Sequence, residues 1–242
     1  MSQFEQLYLD TAFLEPSGAN FEVNLEFVVF QVSERDLKVL TLPAGHSPFE
    51  GDLSLPMRRL GMEGHNSTGQ TYISQELGID SLVHLEQITA YTGSKKNSPV
   101  RQLNMLLLGL AGGIPKATRR QRGSFTPLTE ISSGLGSMST HDQHMILLAR
   151  EFLSSLIQNT TVATLLCPEQ FTLGTLRRIY ECVWDTPLDN ANFRRKILGT
   201  DGFVEFVSKA KQQNKQGRPS HLYKSGSLDK LNPSFQRPPF ST

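Results

Sequence analysis

The sequence predicts a two-part α+β protein, in which a β-rich segment precedes a basic module built on helices. Three observations favour this fold class. β-forming runs dominate the first half of the chain, an amphipathic helical pattern follows near residue 145, and capped helices with excess basic charge lie after residue 171. A chain of 242 residues with 38% hydrophobic side chains has ample material for such cores.

The β-rich segment is predicted to open with a hairpin. Residues 21–32 are strongly β-forming, Glu34-Arg35-Asp36 is a polar turn, and the apolar residues of 37–42 return with partial alternation. Beyond the hairpin, the pattern predicts strands at 83–91 and 103–110, with a short helix within 66–77 between them. Residues 112–140 are rich in Gly, Ser, Thr and Arg, which predicts a loop with at most one short strand near 125–128.

A long amphipathic helix is predicted over residues 141–158. Met145, Ala149, Phe152 and Leu156 recur at helical spacing and form one apolar stripe. This stripe must cover either the first domain or a second copy of the chain. We therefore assign residues 1–165 to an N-terminal domain that includes this linker helix.

The next segment has the pattern of a helix-turn-helix. Thr172 is a good N-cap for a helix that ends near Asp185, and Asp189 can cap a second helix over 190–198, which Gly199 ends. Two helices joined by so short a turn form a helix-turn-helix candidate.

The second of these helices has the residue types of a DNA-recognition helix. A helical wheel puts Phe193 and Ile197 on its inner side. Its outer side presents an amide and cations, which contact phosphates and base edges in the major groove. The candidate residues are Asn192, Arg195 and Lys196, with Arg194 between the two faces.

A two-stranded wing is predicted to follow, with strands at 203–207 and 220–224. The loop and strand ends carry the basic residues Lys209, Lys211, Lys215 and Arg218. We assign residues 171–224 to a winged helix-turn-helix domain that binds double-stranded DNA. Residues 225–242 contain three prolines and are predicted to be a flexible tail.

Charge supports this division. Residues 171–224 hold ten Lys and Arg against five Asp and Glu, whereas the whole chain has a formal net charge of only +1. The near-neutral net charge excludes a surface that is basic all over, so DNA must bind to a local basic patch.

Two cysteines, Cys167 and Cys182, indicate neither a disulfide framework nor a metal-binding spacing. The N-terminus lacks the pattern of a signal peptide, and we expect a cytoplasmic protein without a membrane partner. His141 and His144 flank Asp142, but no third metal ligand is evident nearby. Helix capping is the better explanation of Asp142, so we predict neither a metal nor a cofactor.

The order and spacing of several motifs resemble those of the Nudix-related transcriptional regulators of the NrtR family. In the C-terminal third these are Phe171-Thr-Leu, Pro187-Leu188-Asp189, residues 192–198 (NFRRKIL) and residues 217–223 (GRPSHLY). In the first part they are Pro48-Phe49-Glu50-Gly51, Leu55-Pro56 and Leu85-Glu86-Gln87. The resemblance implies a Nudix-like α/β/α sandwich before the winged helix. It further implies that this domain senses a nucleotide such as ADP-ribose, and that the protein represses genes of NAD synthesis or salvage.

The Nudix box itself departs from the hydrolase pattern. When the box is aligned with this sequence, Met57 occupies the position of its first glycine and Glu63 that of its first glutamate. The Arg-Glu pair of the box is replaced by Thr71-Tyr72, and its Glu-Glu pair by Gln75-Glu76. One helix carboxylate, Glu76, remains, although Nudix chemistry needs several to hold divalent cations. We therefore predict no catalytic residues.

The resemblance offers two candidate ligand contacts, Arg101 for a phosphate and Glu76. One winged helix covers one half-site, so we expect a homodimer on a palindromic operator. The alternative is an active Nudix hydrolase of a nucleoside diphosphate derivative with an accessory binding module.

Overall fold

The computed structural model describes residues 21–33, 36–44, 52–62, 64–94, 101–113, 121–132, 137–209 and 221–238. The strands are β1 (Phe21–Ser33), β2 (Asp36–Pro43), β3 (Leu53–Ser54), β4 (Met57–Arg59), β5 (Leu82–Ser94), β6 (Arg101–Ala111), β7 (Ser124–Pro127), β8 (Val204–Lys209) and β9 (His221–Ser225). The α-helices are α1 (His65–Thr71), α2 (Leu128–Ser132), α3 (Thr140–Asn159), α4 (Leu173–Trp184) and α5 (Asn190–Leu198). A π-helical turn (Tyr72–Glu76) continues α1, and a 3-10 helix (Val162–Leu166) follows α3.

Strands β1 to β7 form one mixed sheet. Its central order is β3-β2-β1-β6-β5, with β4 paired to β1 and β7 paired to β2. The β1–β2 pair is antiparallel, which confirms the predicted hairpin, and the predicted strands at 83–91 and 103–110 form β5 and β6. Strand β1 also runs parallel to β6, with Phe21 opposite Arg101 and Phe30 opposite Leu110. Strand β1 therefore lies in the middle of the sheet.

Alternation along β1 divides the core of the sheet domain into two layers. Leu25, Phe27 and Val29 pack on one face against the helical segment 65–76, whereas Val28 and Phe30 pack on the other face with α3. Both faces of the strand are covered, which explains its nearly continuous apolar run. The predicted α/β/α sandwich is confirmed.

The predicted short helix within 66–77 is also present. It comprises α1 and the π-helical turn, and Gly78 follows with a φ of +73°, a conformation that glycine adopts without steric cost. In the segment predicted as loop, β7 confirms the short strand. The helix α2 that follows β7 was not predicted, because five residues are too few to show a helical period.

Helix α3 confirms the predicted linker helix. Ser139 caps it by accepting a hydrogen bond from the Asp142 amide at 3.0 Å. Five apolar residues of this helix are buried in one core that joins the sheet domain to the winged helix, whereas Phe152 and Leu156 of the predicted stripe are only partly buried against it. The buried residues are Met145, Ile146, Ala149, Leu153 and Ile157. The stripe thus packs mainly within the chain, while Leu147 and Leu148 of the same helix are exposed.

The expectation of a flexible tail is wrong for residues 226–238. Leu231 and Phe235 are buried, and their amides donate to the carbonyls of Asn159 and Gln158 at 2.8 and 2.7 Å. The three prolines of this segment indicate flexibility, but its two apolar side chains anchor it in the core. Residues 239–242 lie outside the described residues. None of the described helices is both long and apolar enough to span a membrane.

Candidate functional site

The two helices of the predicted helix-turn-helix begin and end close to where their capping residues indicate. The Thr172 hydroxyl accepts from the Thr175 amide at 3.1 Å, and Asp185 ends α4 in the left-handed conformation with a φ of 52°. The Asp189 carboxylate accepts from the Asn192 amide at 2.8 Å and begins α5. The turn between them is held by Glu181, whose side chain accepts from the Leu188 amide at 2.9 Å.

An aromatic cluster fixes the angle between these helices. Tyr180 lies at the centre, with ring centroids 4.9 Å from Trp184, 5.6 Å from Phe193 and 5.0 Å from Phe235. Phe193 and Ile197 of α5 are both nearly fully buried, as the helical wheel predicts. The inner face of α5 is therefore rigidly packed, and its other face is presented outward.

The wing is formed by the antiparallel pair β8 and β9. It is joined to the helices by Phe171 and Tyr223, whose backbones exchange two hydrogen bonds of 2.8 Å. Lys209, at the end of β8, is exposed. Three of the predicted DNA contacts in the wing, Lys211, Lys215 and Arg218, lie outside the described residues.

The outer face of α5 carries three exposed polar side chains. These are Asn192, Arg194 and Arg195. The Arg195 guanidinium donates to the Asn192 side-chain oxygen at 2.9 Å, so the two groups are held side by side one helical turn apart. Such a pair offers guanidinium N–H donors and a side-chain amide, the groups that hydrogen-bond to base edges in the major groove of DNA.

The expectation that Lys196 is an outward-facing cation is wrong. Its ammonium donates to the Ser234 carbonyl at 3.2 Å and lies 4.3 Å from the centroid of the Phe235 ring. Burial lowers the pKa of this lysine. The tail covers this edge of α5, so Lys196 binds the protein's own C-terminal segment. The apolar pattern of Leu231 and Phe235 was the only sequence signal for this contact.

The eroded Nudix box lies on the opposite side of the sheet. Glu76, its remaining helix carboxylate, forms an ion pair with Arg58 at 3.0 Å. The guanidinium of Arg58 also lies 5.6 Å from the ring centroid of Tyr72, which stands where hydrolases have a carboxylate. Burial raises the pKa of the Tyr72 hydroxyl, so this side chain stays neutral. Glu63 lies outside the described residues.

The second candidate ligand contact, Arg101, is the exposed first residue of β6. Among the described contacts, no hydrogen bond or ion pair joins it to Glu76, whose partner is Arg58. The described contacts therefore do not link the two candidate ligand residues.

A cleft that the sequence did not indicate separates the sheet domain from the winged helix. Its volume is about 1090 Å³, and β2, α2, α3 and α4 line it. Three arginines, Arg150, Arg177 and Arg178, line it together with acidic residues, and Arg177 lies 3.6 Å from Glu181 of the same helix. Neither Arg101 nor Glu76 contributes to this cleft.

Comparison with known proteins agrees with this architecture. Residues 163–225 match the family model described as the NrtR DNA-binding winged helix domain. The chain is 23% identical over 206 residues to an Acinetobacter baylyi protein named ADPR responsive transcriptional repressor NtrR, covering 84% of this chain and 81% of the relative.

Two solved structures share the whole arrangement. Shewanella oneidensis NrtR in complex with a 27mer DNA matches with a TM-score of 0.66 and 20% identity, over 86% of this chain and 99% of that one. A MutT/nudix family protein from Enterococcus faecalis matches with a TM-score of 0.63 and 14% identity, over 94% of each chain. With a Nudix-like sandwich followed by a segment that matches the NrtR winged helix domain, the chain is similar in sequence and fold to transcriptional regulators of the NrtR family.

Proposed function

We propose that this protein is a transcriptional repressor whose winged helix binds an operator and whose Nudix-like domain senses a nucleotide. The observation that carries the proposal is the outer face of α5, where Asn192, Arg194 and Arg195 are exposed on a capped, rigidly packed helix. The similar Shewanella protein was solved in complex with a 27mer DNA, which supports DNA binding by this chain. We place the protein in the cytoplasm, with genes of NAD synthesis or salvage as its targets.

The nucleotide is proposed to be ADP-ribose or a related NAD metabolite. The Acinetobacter relative is named as ADPR responsive, and the sheet domain here has the sandwich fold of Nudix proteins. Arg101 is the proposed contact for a phosphate of this ligand, because it is an exposed cation at a strand end. Glu76 is a weaker candidate, since its carboxylate already pairs with Arg58.

Binding to the DNA upstream of the gene that encodes this chain tests both operator recognition and nucleotide sensing. Fluorescence anisotropy should show tighter binding to that duplex than to a random duplex of the same length. ADP-ribose should then change the affinity, and Arg101→Ala should weaken the response to ADP-ribose. Equal affinity for both duplexes would argue against a sequence-specific repressor. An unchanged affinity with ADP-ribose, NAD and nicotinamide mononucleotide would argue only against the proposed ligand.

We further propose that the repressor binds a palindromic site as a homodimer. One α5 reads one half-site, and two-fold symmetry in the protein matches two-fold symmetry in the operator. Sedimentation should give two chains on each operator, with both half-sites protected; a single chain protecting one half-site would contradict the dimer.

The Nudix-like domain is proposed to have no hydrolase activity. Three of its box positions carry Met57, Tyr72 and Gln75, and its remaining carboxylate is paired with an arginine. A metal cluster on this helix would require further carboxylate ligands.

A further inference from the structure

A buried carboxylate lies where strand β1 meets the first turn of α3. Glu26 is only 1% exposed, and its position in the β1 alternation puts its side chain on the face that α3 covers. Its carboxylate accepts hydrogen bonds from the hydroxyl of Tyr91 and from Nε2 of His141, the latter at 3.1 Å. A charge this deeply buried requires compensation by its neighbours.

A second carboxylate approaches the same point. Asp142 follows His141 in α3, and its Oδ2 accepts from the Leu55 amide at 3.0 Å. One ligand atom from each of Glu26, His141 and Asp142 lies within 4.8 Å of the other two. The backbone hydrogen bond from Leu55 fixes the Asp142 side chain, and packing of β1 fixes Glu26. Three potential ligands thus converge from two rigid elements that are distant in sequence.

We propose that Glu26, His141 and Asp142 bind a divalent transition-metal ion of the Zn²⁺ type. Two carboxylate oxygens and one imidazole nitrogen form a common donor set for such ions, and a site with three protein ligands leaves the fourth position to water or to Tyr91. When the ion binds, Nε2 of His141 gives up its proton to solvent and coordinates the metal, and the neutral ring carries its one proton on Nδ1, which takes up a proton from solvent if it was bare before. Glu26 then exchanges its hydrogen bond from His141 for a metal–oxygen bond.

The donor set favours Zn²⁺ over Mg²⁺. Mg²⁺ prefers octahedral oxygen coordination with several waters, whereas imidazole nitrogen suits Zn²⁺. The site is also separate from the Nudix box, because Glu26 faces α3 while Glu76 belongs to the helical segment on the other face of the sheet. The ion would tie β1 to the start of α3. Further along α3, the Arg150 side chain donates to the Val183 carbonyl of α4 at 3.1 Å, so the site lies on the helix that reaches the winged helix.

The full chain, first stripped of metal with EDTA, can be titrated with Zn²⁺ in a calorimeter and with Co²⁺ in a spectrophotometer. We expect one equivalent of each ion to bind, a higher melting temperature with Zn²⁺, and visible Co²⁺ bands typical of oxygen and nitrogen ligands. His141→Gln should lower the affinity about tenfold or more. His144→Gln is the matched control, because His144 is exposed on the same helix and outside the cluster; it should bind like the wild type.

Several results would overturn the proposal. The first is absence of Zn²⁺ and Co²⁺ binding to the wild type, which would leave Glu26 and His141 as a hydrogen-bonded contact alone. The second is equal loss of affinity in His141→Gln and His144→Gln. The third is a Co²⁺ spectrum with a thiolate charge-transfer band, which would assign the ion to a cysteine. Glu26→Gln alters a buried group, so the exposed His141 serves as the principal variant.

Discussion

The guanidinium of Arg58 lies 3.0 Å from the carboxylate of Glu76, the one helix carboxylate that the Nudix-like box retains. Arg58 is held on β4, which pairs with β1 at Leu25, so the ion pair is anchored to the central sheet. Both side chains are partly exposed, and the pair itself contributes little to stability. The ion pair matters for activity, because the positive charge of Arg58 lies where a hydrolase would hold a divalent cation.

We therefore predict that the protein does not hydrolyse ADP-ribose or NAD. With Mg²⁺ or Mn²⁺ present, product release measured by chromatography should equal that of buffer alone. If Glu76 were catalytic, product release would exceed that of buffer alone. Turnover at ordinary enzyme rates that Glu76→Gln abolishes would support the alternative, an active hydrolase with an accessory binding module.

Arg195→Ala is predicted to weaken operator binding by about 1 to 3 kcal/mol per half-site and to relax the preference at one base pair, if the guanidinium makes a bidentate base contact. Competition between operator variants measures both effects. Arg122→Ala is the matched control, since this arginine is exposed in the sheet domain. If Arg195→Ala binds operator and random DNA as the wild type does, α5 is not the reading helix.

Lys209→Ala is predicted to act on all DNA sequences alike. A wing lysine that contacts a phosphate contributes charge without reading a base, so operator and random duplex should both be bound more weakly. The slope of log K against log salt concentration should fall by about one. Lys211→Ala should behave in the same way. A change in sequence preference without a change in slope would place Lys209 at a base edge instead.

Phe235→Ala is predicted to destabilise the winged helix domain. Its ring stacks on Trp184 at 5.6 Å and contacts Phe193 at the same distance, so truncation removes part of the aromatic cluster and should cost about 3 to 5 kcal/mol. Thermal melting measures the loss. Gln236→Ala, an exposed neighbour, should change the free energy of unfolding by less than about 0.5 kcal/mol. Equal melting of the two variants would show that the tail does not stabilise the domain.

Local patterns in the sequence were sufficient to predict the longer strands and helices of this protein, although not short elements such as β3, β4 and α2. The capping residues Thr172 and Asp189 lie where α4 and α5 begin, and Gly199 where α5 ends. These signals act over three or four residues, so the chain encodes them without reference to its fold. Helix-turn-helix order and the inner face of α5 follow from the same short-range information.

Only the tertiary structure decided which distant residues meet. No partner for His141 is evident in the sequence, because Glu26 lies 115 residues earlier in the chain. The sequence places Lys196 among the outward-facing cations, because its partner, the Ser234 carbonyl, is 38 residues away in a segment whose composition indicates flexibility. The physical reason is common to both cases. Periodicity reports which face of an element is apolar, but not which side chain another element will bring against it.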